Sequence, residues 1–255
     1  MATNAANILD QFTRQAEAFA GTSGISDPES LDRIVALAGA TSADVVLDVG
    51  CGPGIVVAAY ARVARRVTGI DLTPAMLDQA RLRQRQRSLT NVQWVQGDML
   101  RLPFPDACFS IVNSRFALHH CPQPLPMLLE MRRVCRPGGR VVVTEAAPAP
   151  AKVAAYNAAE KLRDPSHERA FSLAELVAWF AAAALPAPRV AEYRMPGAIE
   201  DLLGRSFPLP GDGERLRALY RASLSGDPLD MALQLGPRGD LRYAFPVAIL
   251  SAARG

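Results

Sequence analysis

Two aspartates bracket three glycines in this chain, and their types and spacing suit a cationic ligand that carries a sugar. Gly50, Gly52 and Gly54 stand at alternate positions, with Asp48 two residues before the first and Asp71 nineteen residues after Gly52. Residues without a Cβ let a ligand lie directly on the backbone and open positive φ. A helix starting near Ile55 would direct its free N–H groups at that ligand. The spacing is G-x-G-x-G with Pro53 inside the turn, whereas a dinucleotide fingerprint is G-x-G-x-x-G. The Lys-Ser/Thr pair of a phosphate-binding loop is missing. Asp48 is a poor neighbour for a pyrophosphate and a suitable one for a cation, and Asp71 can accept hydrogen bonds from both hydroxyls of a ribose.

The elements that must hold these residues are legible in the pattern. Val45, Val46, Leu47 and Val49 form the β-branched run of a strand buried on both faces, and the glycine turn follows it directly. A second strand spans 66–71 and ends in Asp71. Thr73 is placed to cap a helix with Pro74 at its first position. A third strand over 92–99 brings Asp98 to its tip. A fourth over 109–114 and a fifth over 140–145, after the turn Pro137-Gly138-Gly139, complete the first half.

Beyond the fourth strand comes Arg115, then Phe116, Ala117, Leu118, His119 and His120. Ligands of open α/β sheets bind outside the carboxyl ends of the strands, so this segment lies at the mouth of the site. An imidazole there could orient or deprotonate a substrate, or could simply hold its loop. Arg115 could steer an anionic substrate or be a surface arginine.

Together these residues resemble the class I S-adenosylmethionine-dependent methyltransferases, in the branch similar to the ubiquinone and menaquinone C-methyltransferases. The matching pieces, in the family's order over 45–145, are residues 47–54 with their glycines, Gly69-Ile70-Asp71, Gly97-Asp98 ahead of Leu102-Pro103-Phe104, and Arg136-Pro137-Gly138-Gly139. The resemblance implies an α/β fold: a doubly wound, mostly parallel seven-stranded sheet with an antiparallel last strand and a helical cap. It implies S-adenosylmethionine as the methyl donor. Asp48 would reach the methionine amino group, with Gly50, Cys51, Gly52 and Gly54 forming the cradle. Asp71 would bind the ribose, Leu72, Met76 and Met99 would pack on the adenine, and Asp98 would accept from its amino group. Asn113 and Ser114 would supply backbone carbonyls near the sulfonium. Asp98 as a helix cap and Met76 as plain core are the structural alternatives. Some relatives carry a run similar to Arg163-Asp164-Pro165-Ser166-His167 after the fifth strand, so that segment is expected to cap the acceptor, although Asp164-Pro165-Ser166 is by itself a turn. His119 and His167 are the candidate catalytic residues.

Composition narrows the partners. The chain has 255 residues, 49% hydrophobic and 21% charged, and a net charge of +3. Such a chain can bury a core within one domain, and its low charge leaves little electrostatic footprint for a nucleic acid. The arginines of 81–87 would spread around a helix and fit a solvated helix end. Four cysteines, Cys51, Cys108, Cys121 and Cys135, include no Cys-x-x-Cys pair. A disulfide at Cys51 would distort the turn, so a reducing, cytoplasmic setting is expected. No leader and no membrane-crossing run is expected.

The rest of the chain frames the site. A helix over 7–20 aligns Phe12, Ala16 and Phe19 on one face and stops at Gly21; it is either a lid over the donor or a fixed amphipathic helix. Ser26 or Asp27 caps a helix over 28–37, and Ser172 with Glu175 forms a capping box for 173–183. Strands follow over 189–195 and 243–252, and Pro246 argues for an edge or a bulge in the latter. One methyltransferase domain over 1–255 is expected, with lid helices in 1–40, a donor-binding core in 41–146, and cap, acceptor insertion and last strands in 147–255.

The expected reaction is methyl transfer to O, N or C of a small phenol, quinol, amine or similar metabolite, mainly by in-line positioning at ~3–3.5 Å. His119 or His167 would take a proton from a phenolic or amine acceptor. The rivals are a nicotinamide enzyme, a nucleic-acid or protein methyltransferase, and a repurposed binder of the same cofactor. No metal, nucleic acid or membrane is called for, and the chain is expected to be a monomer or homodimer.

Overall fold

The protein is described here by a computed structural model covering residues 4–20 and 26–255. The expectations for the Phe19 side chain and for Gly21 fall outside the described residues. Strands β1 (Val45–Val49), β2 (Arg66–Asp71), β3 (Val92–Gln96), β4 (Phe109–Arg115), β5 (Cys135–Ala146), β6 (Arg189–Ala198), β7 (Gln234–Leu235) and β8 (Leu241–Ala253) build one sheet. Its order is β3-β2-β1-β4-β5-β8-β6, with β7 also paired to β8. Strands β1 to β5 pair in parallel, and β8 runs antiparallel to β5, β6 and β7. The expected seven strands are the main path; the two-residue β7 is an addition that pairs with Leu241 and Arg242.

Helices cover both faces. On one face α2 (Pro28–Ala38), α3 (Ile55–Ala61) and α4 (Pro74–Gln86) bury Ile34, Val57, Tyr60 and Leu77 against Val46, Ile111 and Ile249. On the other, α5 (Pro124–Val134) and α7 (Leu173–Ala182) bury Leu128, Met131 and Phe180 against Leu47, Val112 and Leu250. The alternation of successive strand residues between these clusters is the two-residue period of a doubly covered sheet. A third cluster joins α6 (Val153–Arg163), α8 (Ile199–Gly204) and α9 (Asp212–Ala222) to the first half of β8 through Tyr156, Leu202, Tyr220 and Phe245. Helix α1 (Ala5–Ala20) lies at the carboxyl ends of the strands; α2, its neighbour in sequence, packs on the sheet face.

Local signals hold where they are self-contained. Asp27 accepts from Ser30 N at 2.8 Å and caps α2. Ser172 and Glu175 bond reciprocally as a capping box at α7. Ser172→Ala is expected to lower stability by about 0.5–2 kcal/mol, measured by denaturant unfolding; an unchanged midpoint would show that water replaces the cap.

Others are overruled by the fold. Thr73 occupies the N-cap of α4, but its hydroxyl makes no capping bond and is buried without a partner. Asp71 accepts from the N–H of Thr73 itself at 2.9 Å, which anchors the N-cap residue without capping the helix. Strand β3 stops at Gln96, so Asp98 lies in the following turn, where it accepts from Leu100 N at 2.8 Å. Pro246 is not in a bulge, and β8 is an inner strand, but at Pro246 it pairs with β6 alone, because the β5 ladder ends at Val247. The Pro246 carbonyl accepts from Ala147 N at 2.8 Å on the β5 side, just past the last rung of that ladder at Ala146–Val247. The donor that proline lacks therefore falls where β5 has ended. No helix among the described residues is long and apolar enough to cross a membrane.

Candidate active site

The chain leaves β1 through the glycine turn, and Ile70 O at the end of β2 accepts from both Gly50 N (2.9 Å) and Cys51 N (3.0 Å). This ties the turn to the strand that carries Asp71. A Cβ on Gly50 would stand 2.7 Å from Ala117 Cβ, and φ there is +68°, so a side chain is excluded twice over. At Gly52, φ is +50° and a Cβ would meet no protein atom within 4 Å. A Cβ at Gly52 would therefore fill the open space beside the turn, and that space is the mouth of a cavity of about 360 Å³.

This cavity sits at the carboxyl ends of β1, β2 and β4. Strand β1 has β2 on one side and β4 on the other, which is the switch point where open α/β sheets take ligands. Gly50, Cys51, Gly52, Asp48, Asp71 and Asp98 all border it, as do Leu72, Met76 and Met99. Gly54, Asn113 and Ser114 do not. A Cβ on Gly54 would strike Trp94 at 2.6 Å, so its role is close packing. Ser114 donates to Val49 O at 2.9 Å. Asn113 lies beneath the floor, donating from Nδ2 to Asp48 Oδ1 at 2.7 Å and accepting from Tyr60 Oη at 3.3 Å.

The two aspartates differ in environment. Asp48 is 1% exposed, and burial raises its pKa to about 7 against the pull of the Asn113 hydrogen bond and the Arg115 charge. Near neutral pH such a carboxyl is divided between its two forms, and a cation beside it would favour the charged one. Asp71 is also raised by burial, while Thr73 N and Gly52 N hold its charge through two hydrogen bonds, the latter 2.8 Å long. Each of its oxygens takes one backbone donor and keeps a lone pair for a ligand hydroxyl. Such a set fits a nucleoside with a cationic tail: an acidic floor, a dicoordinated ribose acceptor, and a thioether and aliphatic wall.

Arg115 is not a surface arginine. It is 7% exposed, borders the first cavity, and lies over the Phe116 ring at 4.9 Å. Phe116 itself adopts φ +54°, an uncommon conformation for an aromatic residue. It borders the first cavity and also a second of about 80 Å³. Phe12 and His120 likewise line both.

The second cavity is bordered by His119 and His167, which sequence alone singled out, and by residues it did not, among them Gln15, Glu160 and Arg205. His119 Nδ1 is 2.7 Å from Glu145 Oε2, and Glu145 Oε1 accepts from Leu118 N at 2.7 Å. Burial opposes a charge on His119, but the Glu145 carboxylate outweighs it and raises the pKa above the ordinary value. His167 differs. Burial first, then the neighbouring His119 and His120, push it down to about 2, so it is a poor proton acceptor in the role of base. His120 is pushed to about 3 by burial and by His119, and its Nδ1 faces Ser166 O at 3.1 Å.

Helix α1 borders both cavities through Phe12. Asn4 Nδ2 donates to His120 O (2.8 Å) and Ser166 O (3.0 Å), and the Phe12 ring meets His120 edge-on at 5.0 Å. Glu145 carried one sequence signal that went unused: it sits at the carboxyl end of a parallel strand, where ligand-facing residues gather. Gln15 and Asn157 carried none.

Comparison with known proteins agrees with this architecture. Residues 47–143 match the family model of a methyltransferase domain. The uncharacterized methyltransferase YcgJ of Bacillus subtilis (strain 168) is 29% identical over 206 residues, covering 80% of this chain and 81% of that protein. A demethylmenaquinone methyltransferase of Tropheryma whipplei (strain Twist) is 36% identical over 146 residues, 55% of this chain and 59% of that protein. The crystal structure of YcgJ superposes with a TM-score of 0.79 at 25% identity, over 89% of this chain and 99% of that one. A putative methyltransferase of Bacillus halodurans C-125 superposes equally, with a TM-score of 0.79 at 26% identity and the same coverage. With the glycine turn, the strand-end aspartates and the sheet order in place, residues 47–143 form a methyltransferase domain, and these likenesses support an S-adenosylmethionine-dependent methyltransferase.

Proposed function

We propose that this protein methylates a small organic acceptor held in the second cavity, with the donor in the first. The observation that carries this reading is adjacency: Phe12, Phe116 and His120 border both spaces, so a donor in one and an acceptor in the other would be neighbours. Bound in the first cavity, S-adenosylmethionine supplies a methyl group on a positively charged sulfur, already activated for attack.

The chain's own residues do the rest. Asp48, held from below by Asn113, faces the amino group, and Asp71 accepts from the ribose hydroxyls. Leu72, Met76 and Met99 pack on the adenine, with Asp98 at its amino edge. Gly50, Cys51 and Gly52 give the backbone surface, while Gly54, Asn113 and Ser114 act one layer behind. His119 takes the acceptor's proton on Nε2, because Glu145 fixes the Nδ1–H tautomer and stabilises the imidazolium that results. Helix α1 is the lid, 41–146 the donor-binding core, and 147–255 the cap that selects the acceptor. The aligned part of the demethylmenaquinone methyltransferase is 59% of its length, so its acceptor is not carried over. A reducing, cytoplasmic setting suits the four unpaired cysteines.

Transfer of labelled methyl from S-adenosylmethionine to a panel of phenols, amines, thiols and carboxylic acids tests this reading. Label found only in RNA or protein of an extract, and in no small molecule, would sink it.

Donor binding is expected to depend on pH through Asp48. A cation at this carboxylate favours its ionised form, so binding near pH 7 releases a proton, and affinity falls as pH drops below about 7. The decline approaches about tenfold per pH unit if the charged form is required. Calorimetry in buffers of different ionisation enthalpy reads the proton directly, and Asp48→Asn should remove the pH dependence. No proton release in the wild type would refute the contact.

A further inference from the structure

The second cavity contains a buried acceptor whose protonation state the surrounding hydrogen bonds determine. Asn157 Nδ2 donates to Val153 O at 2.9 Å and to Ala170 O at 3.0 Å. Two carbonyls leave no place for an amide oxygen, so the side chain cannot be flipped. Asn157 Oδ1 must therefore accept, and it does so from Ala170 N at 2.6 Å and from His167 Nε2 at 2.7 Å. His167 accordingly carries a proton on Nε2. A neutral imidazole holds only one, which leaves Nδ1 as a bare lone pair. His167 is 2% exposed, and Nδ1 has no hydrogen-bond partner. Such an atom is costly and calls for an explanation. Gln15, on α1, borders the same cavity, and its Nε2 is also buried without a partner.

The charged groups of the cavity other than the histidines are engaged with protein partners. Arg163 grips Glu160 through both carboxylate oxygens, at 2.6 Å for the shorter contact. Asp164 accepts from Ser166 N and Oγ, and Arg205 donates to Tyr243 Oη at 3.1 Å. The remaining wall is mostly apolar, with Phe12, Phe116, Met195, Leu202, Phe245 and the ring of Tyr156.

We propose that the second cavity is a subsite for a neutral hydroxyl group on an apolar body, whose O–H donates to His167 Nδ1 and whose oxygen accepts from Gln15 Nε2. The subsite rests on the reading of this cavity as the acceptor's position. A phenol or alcohol fits it. A carboxylate or phosphate does not, because an anionic oxygen would face the lone pair of Nδ1, and protonating that nitrogen is opposed by burial and by the adjacent histidines and Arg163. His167 is thus a specificity-determining acceptor and not a base. Its ring centroid is 5.3 Å from that of His119, so a hydroxyl held here, whose single proton points at His167, is a recognition group on the acceptor and is distinct from the nucleophile whose proton His119 takes.

Nitrogen NMR of histidine-labelled protein saturated with S-adenosylhomocysteine tests the proposal. His167 should remain the neutral Nε2–H tautomer across the neutral range. Added 4-methylphenol should shift its Nδ1 resonance in the direction of hydrogen-bond acceptance, while 4-methylbenzoate and toluene should not. His167→Leu and Gln15→Leu should each weaken 4-methylphenol about 3- to 10-fold with toluene affinity unreduced, and His167→Asn should restore part of the loss by offering an oxygen at the Nδ1 position. A protonated Nδ1, a silent resonance on adding the phenol, or 4-methylbenzoate binding as tightly as the phenol would overturn the proposal. The tautomer is read on wild-type protein, so a poorly folded variant does not shield it. Failure of S-adenosylhomocysteine to bind would instead strike at the proposed function.

Discussion

Replacing His119 with alanine is expected to lower turnover about 10²–10⁴-fold, the range for losing a positioned general base, while affinity for S-adenosylhomocysteine stays the same. The separation follows from placement, since His119 borders the second cavity and not the first. The pH profile carries the sharper test. Glu145 raises the His119 pKa, so wild-type turnover should climb with pH through a value above ~6.5, as the imidazolium loses its proton. Glu145→Gln removes the charge that holds that proton. The rising limb should then move to lower pH and the maximal rate should fall, because the amide stabilises the imidazolium less well. Equal losses of turnover and donor affinity in His119→Ala, or a Glu145→Gln profile superimposable on wild type, would remove His119 from the chemistry.

Asp71→Ala should weaken donor binding by about 1.5–3 kcal/mol, the range for hydrogen bonds to a charged group, or about tenfold to a hundredfold. Two losses add. The ribose hydroxyls lose their acceptor, and the turn loses the carboxylate that holds Gly52 N and Thr73 N. Asp71→Asn separates them only in part, because an amide presents one oxygen and turns its NH₂ toward the other backbone N–H. It should therefore recover less than half of the loss. Isothermal titration gives both values, and an unaltered affinity in Asp71→Ala would reject the ribose contact.

Much of the donor half was readable in one dimension because its physics is local. Alternating apolar residues, Pro74 at a helix start, and glycines where φ is positive act over a few residues, so β1, the turn, β2 and α4 fall within a residue or two of their expected bounds. The same holds for the capping box at Ser172. Where a local preference competed with tertiary pairing, the pairing won. Pro246 is accommodated in an inner strand because β5 ends one residue short of it, and the Thr73 hydroxyl at the start of α4 makes no capping bond. The short β7 carried no pattern, since two rungs leave no period to read.

Local pattern was enough to bring Asp48, Gly50, Gly52, Asp71 and Asp98 to one cavity at the strand ends. Only the tertiary structure decided what each group can do. Asn113 reaches Asp48 across 65 positions, Glu145 meets His119 across 26, and Asn157 sets the tautomer of His167 across 10. Burial then drives Asp48 to about 7 and His167 to about 2 while Glu145 lifts His119. Protonation depends on which charges and dipoles surround a group in space and on how far water is excluded, and neither quantity is a property of neighbours along the chain.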